Sequence, residues 1–316
     1  MQIRTINQLA SILRFDAEYI LELSSRCQNC YHPYKKEHRT IDNPSPELRK
    51  IQRSIKENIL DAELDKLPNC MYGARKGKSV TDCARVHIGE KAILAMDLAE
   101  CYPSISAGKV YRLYRRQFRY DEKIARILTE LSTFDGHLPQ GAPTSSAICN
   151  LILSPLMSSL DNAAMKSNLN FSNIVDDIFF SGDLPNLYKA KHITQQAVRD
   201  AGLHLKSEKT LVYENSECMQ VTNVVVNRKI SAGKKRIRTI KHIILGITMQ
   251  DLKKYLTIRE AVKSAQKKKL KVPKYKTKIH NILGQIANVS SINPEQGEKL
   301  KAQLDKKLAT LSMKNY

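Results

Sequence analysis

Between residues 46 and 59 the apolar side chains Leu48, Ile51, Ile55 and Ile59 recur every three or four positions, the signature of one buried helix face. Ser45 can cap that helix and Pro46 suits its first position, where no backbone N–H is needed. Residues 6 to 26 read as one or two short helices. "KAILAMDLAECYPSI" begins as an apolar strand and is stopped by Pro103. Helical spacing returns at 106–118 and 121–133 and, after "HLPQGAPTSS", from about Ala147 to Met165. In "FSNIVDDIFFSG" two apolar arms flank Asp176 and Asp177. A helix near 186–201 follows, then the strand-like runs "KTLVYE" and "CMQVTNVVVN". From Thr239 the pattern is helical to the end, including a helix capped by Asn293 with Pro294 in its first turn. This order predicts an α+β fold with helices over one face of an antiparallel sheet.

Charge changes that picture. The 316 residues carry 52 Lys and Arg against 31 Asp and Glu, a net charge of +21. Arg228 to Tyr316 holds +18 of it, with 23 basic and 5 acidic residues. A merely solvated surface would spread the excess, so a polyanionic partner and a boundary near residue 228 are expected. Trp is absent and aromatic residues make up 6%, which favours contact with phosphates over base stacking. No window has the unbroken apolar length of a membrane helix, and the N-terminus lacks a signal-peptide pattern, so a cytoplasmic protein without a membrane partner is expected. Seven scattered cysteines suit reduced core thiols. Cys27 and Cys30 form one C-x-x-C near His32 and His38, but no second pair accompanies it, and no metal is assigned there.

Two adjacent carboxylates in a strand-like run need an explanation, because an unpaired buried carboxylate costs several kcal/mol, roughly its desolvation penalty. Neighbouring strand residues face opposite ways, so both aspartates can approach one locus only at a bend. A hairpin tip satisfies this; so does an ordinary surface turn. Asp97 ends another apolar run, "AILAMD", and the chain between is long enough to bring it beside the hairpin. Three converging carboxylates would repel one another unless cations sat among them, and Mg²⁺ takes such hard oxygen ligands. Two such ions would suit in-line nucleotidyl transfer.

"MDLAECYPSI", "LPQGAPTSSAICNLIL", "NIVDDIFFSG", "HLKSEKTLVY" and "QVTNVVVN", in this order, resemble the palm motifs of reverse transcriptases, most closely those of bacterial retrons. "HRTIDNPSPELRKIQRSIKENIL" and "YGARKGKSV" look like the fingers of that family, and "ILGQIANVSSINPEQGEKLKAQL" like the end of its thumb. The resemblance implies a right-hand polymerase. Residues 1–90 would form N-terminal helices and fingers, 91–227 the palm with fingers elements at about 106–140, and 228–316 a basic helical thumb.

By the same resemblance Asp97 and Asp176 would be the principal ligands of two Mg²⁺ ions and Asp177 the third carboxylate. Tyr102 would lie under the sugar and exclude a ribose 2′-hydroxyl, or else be a core tyrosine beside Pro103. Gln140 and Gly141 would border the incoming nucleotide; Arg39 and Arg75 would neutralise its triphosphate; Lys209 would protonate the leaving pyrophosphate. The departures are Ile174, where the family usually has an aromatic residue, and Asn223, which replaces the glycine after Val221 and Thr222 in the segment matching the primer-side motif. Lys234, Lys235, Arg236, Lys267, Lys268 and Lys269 would bind nucleic-acid phosphates, giving affinity that falls steeply with salt. The implied partners are dNTPs, one structured non-coding RNA, its DNA product and an effector protein from the same locus. Priming from an RNA 2′-hydroxyl would leave branched RNA-linked DNA, with a role in phage defence. Two alternatives are a catalytically silent RNA-binding scaffold and another class of bacterial reverse transcriptase.

Overall fold

The computed structural model describes residues 2–37, 39–267 and 277–313, and the chain divides into two compact units, Met1–Met219 and Gln220–Tyr316. That division falls a few residues before the step in charge. In the first unit, α1 (Ile6–Leu13) and α2 (Ala17–Arg26) lead through a 3₁₀ turn, Cys27–Cys30, into the hairpin β1 (Tyr31–Lys36) and β2 (Arg39–Pro44). α3 (Pro46–Ile55) starts where Ser45 accepts a hydrogen bond from the Leu48 N–H, continues through a π turn at Lys56–Leu60, and ends in α4 (Asp61–Leu64). Its buried face is Leu48, Ile51 and Ile55, with Ile59 in the π turn. α5 (Val80–Arg85) precedes β3 (Ala92–Asp97). α6 (Ala107–Arg112) then runs into a second π turn, Leu113–Gln117, followed by α7 (Glu122–Ser132) and the long α8 (Ser145–Lys166). β4 (Asn170–Ile174) and β5 (Asp177–Gly182) form the expected hairpin, followed by α9 (Leu184–Asp200), a 3₁₀ turn at Ser207–Lys209 and β6 (Leu211–Glu214).

The four-stranded sheet has the order β4-β5-β3-β6, antiparallel throughout. β3 is therefore central, flanked by the carboxylate hairpin on one side and β6 on the other, and all but one of its residues are buried. One apolar cluster runs from Ile3 through Ile51, Leu94, Ile148 and Phe180 to Leu203, so the segments expected as fingers and palm share a core.

The β1–β2 hairpin has no counterpart in the apolar pattern. Its residues are polar and mostly exposed, and Pro33 and Pro44 lie within it. It is fixed instead by its register and by contact with the loop before α8.

His87, fully buried, bridges two strands behind the carboxylates. Nδ1 contacts Ser181 Oγ and Nε2 contacts Ser172 Oγ, both at 2.7 Å, and Cys83 Sγ lies 3.0 Å from Ser172 Oγ. Burial pushes its pKa down to about 3. Because the unfolded chain takes up this proton near pH 6.5 and the folded one does not, stability is fully present above pH 6.5 and declines as pH falls toward 3. The expected loss at pH 5 is about 2 kcal/mol, and His87→Gln should flatten the curve; urea melts at pH 7.5 and pH 5 measure both.

In the second unit, β7 (Gln220–Val221) and β8 (Val224–Val225) pair across a two-residue turn, Thr222–Asn223. Both turn residues have positive φ, 48° and 66°, as a tight hairpin requires, and asparagine tolerates this well. Among the described residues the helices α10 (Lys234–Leu245), α11 (Met249–Lys267), α12 (Lys278–Ile292) and α13 (Pro294–Met313) follow. The Gln296 N–H donates to Asn293 Oδ1 at 3.0 Å, the expected cap. Ile282, Ile286 and Val289 of α12 and Leu300 and Leu304 of α13 are among the buried residues of these helices.

Candidate active site

Asp97 is the last residue of β3 and the register partner of Asp177, the first residue of β5, so both side chains leave the sheet on one face. Asp176 occupies the second position of the turn between β4 and β5, and its carbonyl accepts from the Leu98 N–H at 2.9 Å. The bend thus brings both aspartates to the end of β3. The residue before them is unusual: Val175 has φ +54°, a conformation that a β-branched side chain adopts only when its surroundings impose it.

Those surroundings are specific. Asn173 Nδ2 donates to the carbonyls of Val175 and Asp177, tying the turn across its base. The Tyr72 N–H donates to the Asn173 carbonyl at 2.9 Å, and the Asn173 N–H to the Cys70 carbonyl at 2.8 Å. This lays Gly73 directly on the bend: a Cβ there would meet Val175 Cγ2 at 2.6 Å and Val175 N at 2.9 Å. Asn150 of α8 anchors the Gly73 carbonyl.

Asp97 is buried, whereas Asp176 and Asp177 are half-buried. Burial, then the charges of Asp176 and Asp97, pushes Asp177 up to about 6. Burial also raises Asp176, against the opposing charges of Lys206 and Arg39. The segment after α9 supplies cations. Its backbone runs antiparallel to residues 97–99, with the Lys206 N–H donating to the Asp97 carbonyl and the Ala99 N–H to the His204 carbonyl. Lys209 Nζ then donates to Asp97 Oδ2 at 2.7 Å, while Lys206 Nζ lies 2.8 Å from Oδ1. The second contact is an ion pair without hydrogen-bond geometry, which leaves Oδ1 buried and without a hydrogen bond. Lys206 was not anticipated from the sequence, where it is one lysine among many.

Among the described residues no group of three or more His, Cys, Asp and Glu side chains stands in metal-ligating geometry. The donor set nevertheless suits a hard divalent cation. Three carboxylates repel one another, one buried oxygen lacks a hydrogen bond, and two ammonium groups already contact Asp97.

The other expected residues fall into distinct settings. Tyr102 is half-buried; its hydroxyl meets Ser146 Oγ at 2.9 Å, and burial pushes the phenol up to about 12. The charge of Asp176 adds to that shift. Gln140 exchanges two hydrogen bonds with Asp42 of β2: its N–H donates to Asp42 Oδ2 and its carbonyl accepts the Asp42 N–H, each at 2.9 Å. Gly141 has φ +133°, and a Cβ there would lie 3.0 Å from Ile41 Cγ2 and 3.1 Å from the Asp42 carbonyl. The close approach that requires glycine is therefore to the β1–β2 hairpin. Arg39 begins β2, is exposed, and acts electrostatically on Asp176 and Lys209. Arg75 differs: its guanidinium donates to the carbonyls of Pro68 and Met71 at 2.7 and 2.9 Å, so it clasps its own loop.

Val221, Thr222, Asn223, Lys234, Lys235 and Arg236 belong to the second unit. Arg236 donates to Asn288 Oδ1 at 2.7 Å. Lys267 ends α11; its side chain, with Lys268 and Lys269, lies outside the described residues. No helix among the described residues is long and apolar enough to cross a membrane.

Comparison with known proteins gives the family of the chain. Residues 31–287 match the model of the family described as reverse transcriptase (RNA-dependent DNA polymerase). The chain is 31% identical to the retron Ec86 reverse transcriptase of Escherichia coli over 218 residues, 67% of each protein. It is 29% identical to the retron Se72 reverse transcriptase of Salmonella heidelberg, covering 66% of this chain and 57% of that one. Against the retron Mx65 reverse transcriptase of Myxococcus xanthus the figures are 28%, 65% and 52%. The matched region thus spans from about half to two-thirds of these relatives. Among solved structures, a telomerase from Candida albicans in complex with a TWJ fragment of telomeric RNA aligns with 89% of this chain and 60% of its own, at TM-score 0.51 and 13% identity, a likeness of fold. With a carboxylate-bearing hairpin beside a central strand and a family match over most of its length, the chain belongs to the reverse transcriptases, the RNA-dependent DNA polymerases, and among them to the retron type.

Proposed function

We propose that this chain copies a cognate structured RNA into DNA at Asp97, Asp176 and Asp177, with two Mg²⁺ ions held by those carboxylates. The observation that carries the reading is the meeting of three mutually repelling carboxylates with two lysines at the end of β3, in a chain of this family. When bound, the ions would activate the attacking hydroxyl and stabilise the departing pyrophosphate. Arg39, free of ion pairs among the described residues, would contact the triphosphate, as a guanidinium fork suits phosphate oxygens; Arg75, whose guanidinium holds its own loop, is a weaker candidate. Gln140, bonded to Asp42, and Gly141, close against β2, would shape the adjoining wall.

The Asp97 carboxylate holds the Lys209 ammonium protonated above its ordinary range. Were Asp97 to hold a divalent cation, that restraint would weaken and Lys209 would be the residue to give a proton to the departing pyrophosphate. The Tyr102 ring, fixed through Ser146, would block a ribose 2′-hydroxyl. Tyr102→Ala should therefore raise ribonucleotide incorporation at least about tenfold relative to dNTPs, an effect on the order of 1.4 kcal/mol; primer extension with mixed nucleotides measures it, and unchanged selectivity would remove the gate assignment.

In this reading residues 1–90 are fingers, 91–227 palm and 228–316 a thumb whose Lys234, Lys235 and Arg236 hold phosphates of RNA and product DNA. Lys267, Lys268 and Lys269 extend the same basic character, and Val221 to Asn223 form a turn facing the primer. Priming is from an RNA 2′-hydroxyl, giving branched RNA-linked DNA, and the complex acts in the cytoplasm in phage defence beside an effector protein. The test is to express the protein with its native flanking locus, purify it, and look for DNA covalently joined to RNA. RNA-linked DNA from the wild type alone supports the reading. RNA without DNA from both the wild type and an Asp176/Asp177 variant would make the chain a scaffold.

A further inference from the structure

Away from the carboxylates, α6 with its π turn, α8 and the loop after α9 enclose a groove of about 480 Å³. Its floor is aliphatic: Ile105, Leu113 and Leu203 are buried, and Ile152 and Leu156, one turn apart on α8, remain partly exposed. Its rim is cationic, with Lys109, Arg112 and Arg116, and no carboxylate lines it. Lys109 Nζ donates to the Ala201 carbonyl at 3.2 Å, whereas Arg112 and Arg116 have no hydrogen-bond or ion-pair partner among the described residues. The π turn at Leu113–Gln117 inserts one extra residue into a helical turn, and residues 112, 113, 116 and 117 all line the groove. Such insertions are frequent at functional positions.

We infer that this groove is a docking site for an acidic amphipathic helix of a partner protein. The three cations form a row along one helix, not a converging cluster; seven residues at 1.5 Å each extend roughly 10 Å. A row matches carboxylates on successive turns of a helix, while a single anionic headgroup would need cations aimed at one point. The floor accepts leucine-like side chains spaced three and four residues apart, the usual mode of a helix in a groove. RNA fits less well, since the floor offers no aromatic ring to stack on a base, and aliphatic surface gains nothing from phosphate.

The probe is a stapled, fluorescein-labelled helical peptide with leucines at i, i+4 and i+7 and glutamates along both flanks, titrated against the full chain by anisotropy. Saturable binding is expected, weakened at least about tenfold by Ile152→Ser with Leu156→Ser, and equally by Arg112→Glu with Arg116→Glu. Replacing the peptide leucines with serine should cause the same loss. Lys50→Glu with Arg53→Glu, an exposed pair on α3, carries the same charge change and should shift binding less than about twofold. Hydrogen exchange of the wild type, which does not depend on any variant folding, should show peptide protection within 105–117 and 150–157. Equal loss with the α3 pair, or undiminished binding of the serine peptide, would reduce the contact to general charge and overturn the proposal. Protection elsewhere would also overturn it, as would an RNA oligonucleotide that displaces the peptide and depends more strongly on the groove residues.

Discussion

Substituting Asp176 and Asp177 together with asparagine should lower DNA synthesis at least about a thousandfold, the scale of removing a preorganised electrostatic partner from a reacting centre. RNA affinity should stay within about twofold, because these side chains sit at the end of β3 and the basic excess lies mostly beyond residue 228. Primer extension and a filter-binding titration on the same preparations separate the two effects. Stability should move the other way. Asp177 is pushed up to about 6 by burial and by its two carboxylate neighbours, so its ionised form opposes folding at neutral pH. Removing two of the three charges should raise the melting temperature in chelator, by a gain on the order of 1–2 kcal/mol after solvent screening. A variant that loses RNA binding at unchanged fold would break the division of roles.

Gly73→Ala should be nearly as damaging, although Gly73 carries no chemistry. Its added methyl group would lie 2.6 Å from Val175 Cγ2 and 2.9 Å from Val175 N, and the second contact is with backbone. The Gly73 turn cannot retreat freely, since Asn150 holds its carbonyl and Tyr72 is bonded to Asn173. The bend must move instead, taking Asp176 with it. A loss of about 1–3 kcal/mol is expected from overpacking, with DNA synthesis falling at least about tenfold as the carboxylate is misplaced. Adding Val175→Ala removes the Cγ2 contact but leaves the one to N, so it should restore stability only in part. Denaturant melts and primer extension on both variants are the measurements. Wild-type stability in Gly73→Ala would mean that the bend is softer than its packing implies.

Much of the fold is legible in the sequence because helix and strand periodicities are strong where the core is large. The stripe of α3, the central strand ending at Asp97, the Asp176 hairpin and the Asn293 cap all follow from residue pattern alone. The β1–β2 hairpin does not, because its residues are polar and it gains its place through Gln140 and Gly141. The three carboxylates were readable as a group once two apolar runs ended in aspartate. Lys206 was not, since one lysine among so many has no local mark; only the backbone pairing of residues 204–206 with 97–99 places it over Asp97. Arg75 shows the reverse, a basic residue in the expected position whose donors are taken by its own loop.

If Asp97 takes up a divalent ion as proposed, its contacts with Lys206 and Lys209 make that uptake an exchange. An incoming divalent ion competes with two ammonium groups already within 2.8 Å, so its apparent affinity is a difference between two sets of contacts. A triphosphate changes the balance by offering the displaced lysines new oxygens to meet. Ion and nucleotide should then favour each other's arrival, and an ion without a nucleotide should be held only loosely.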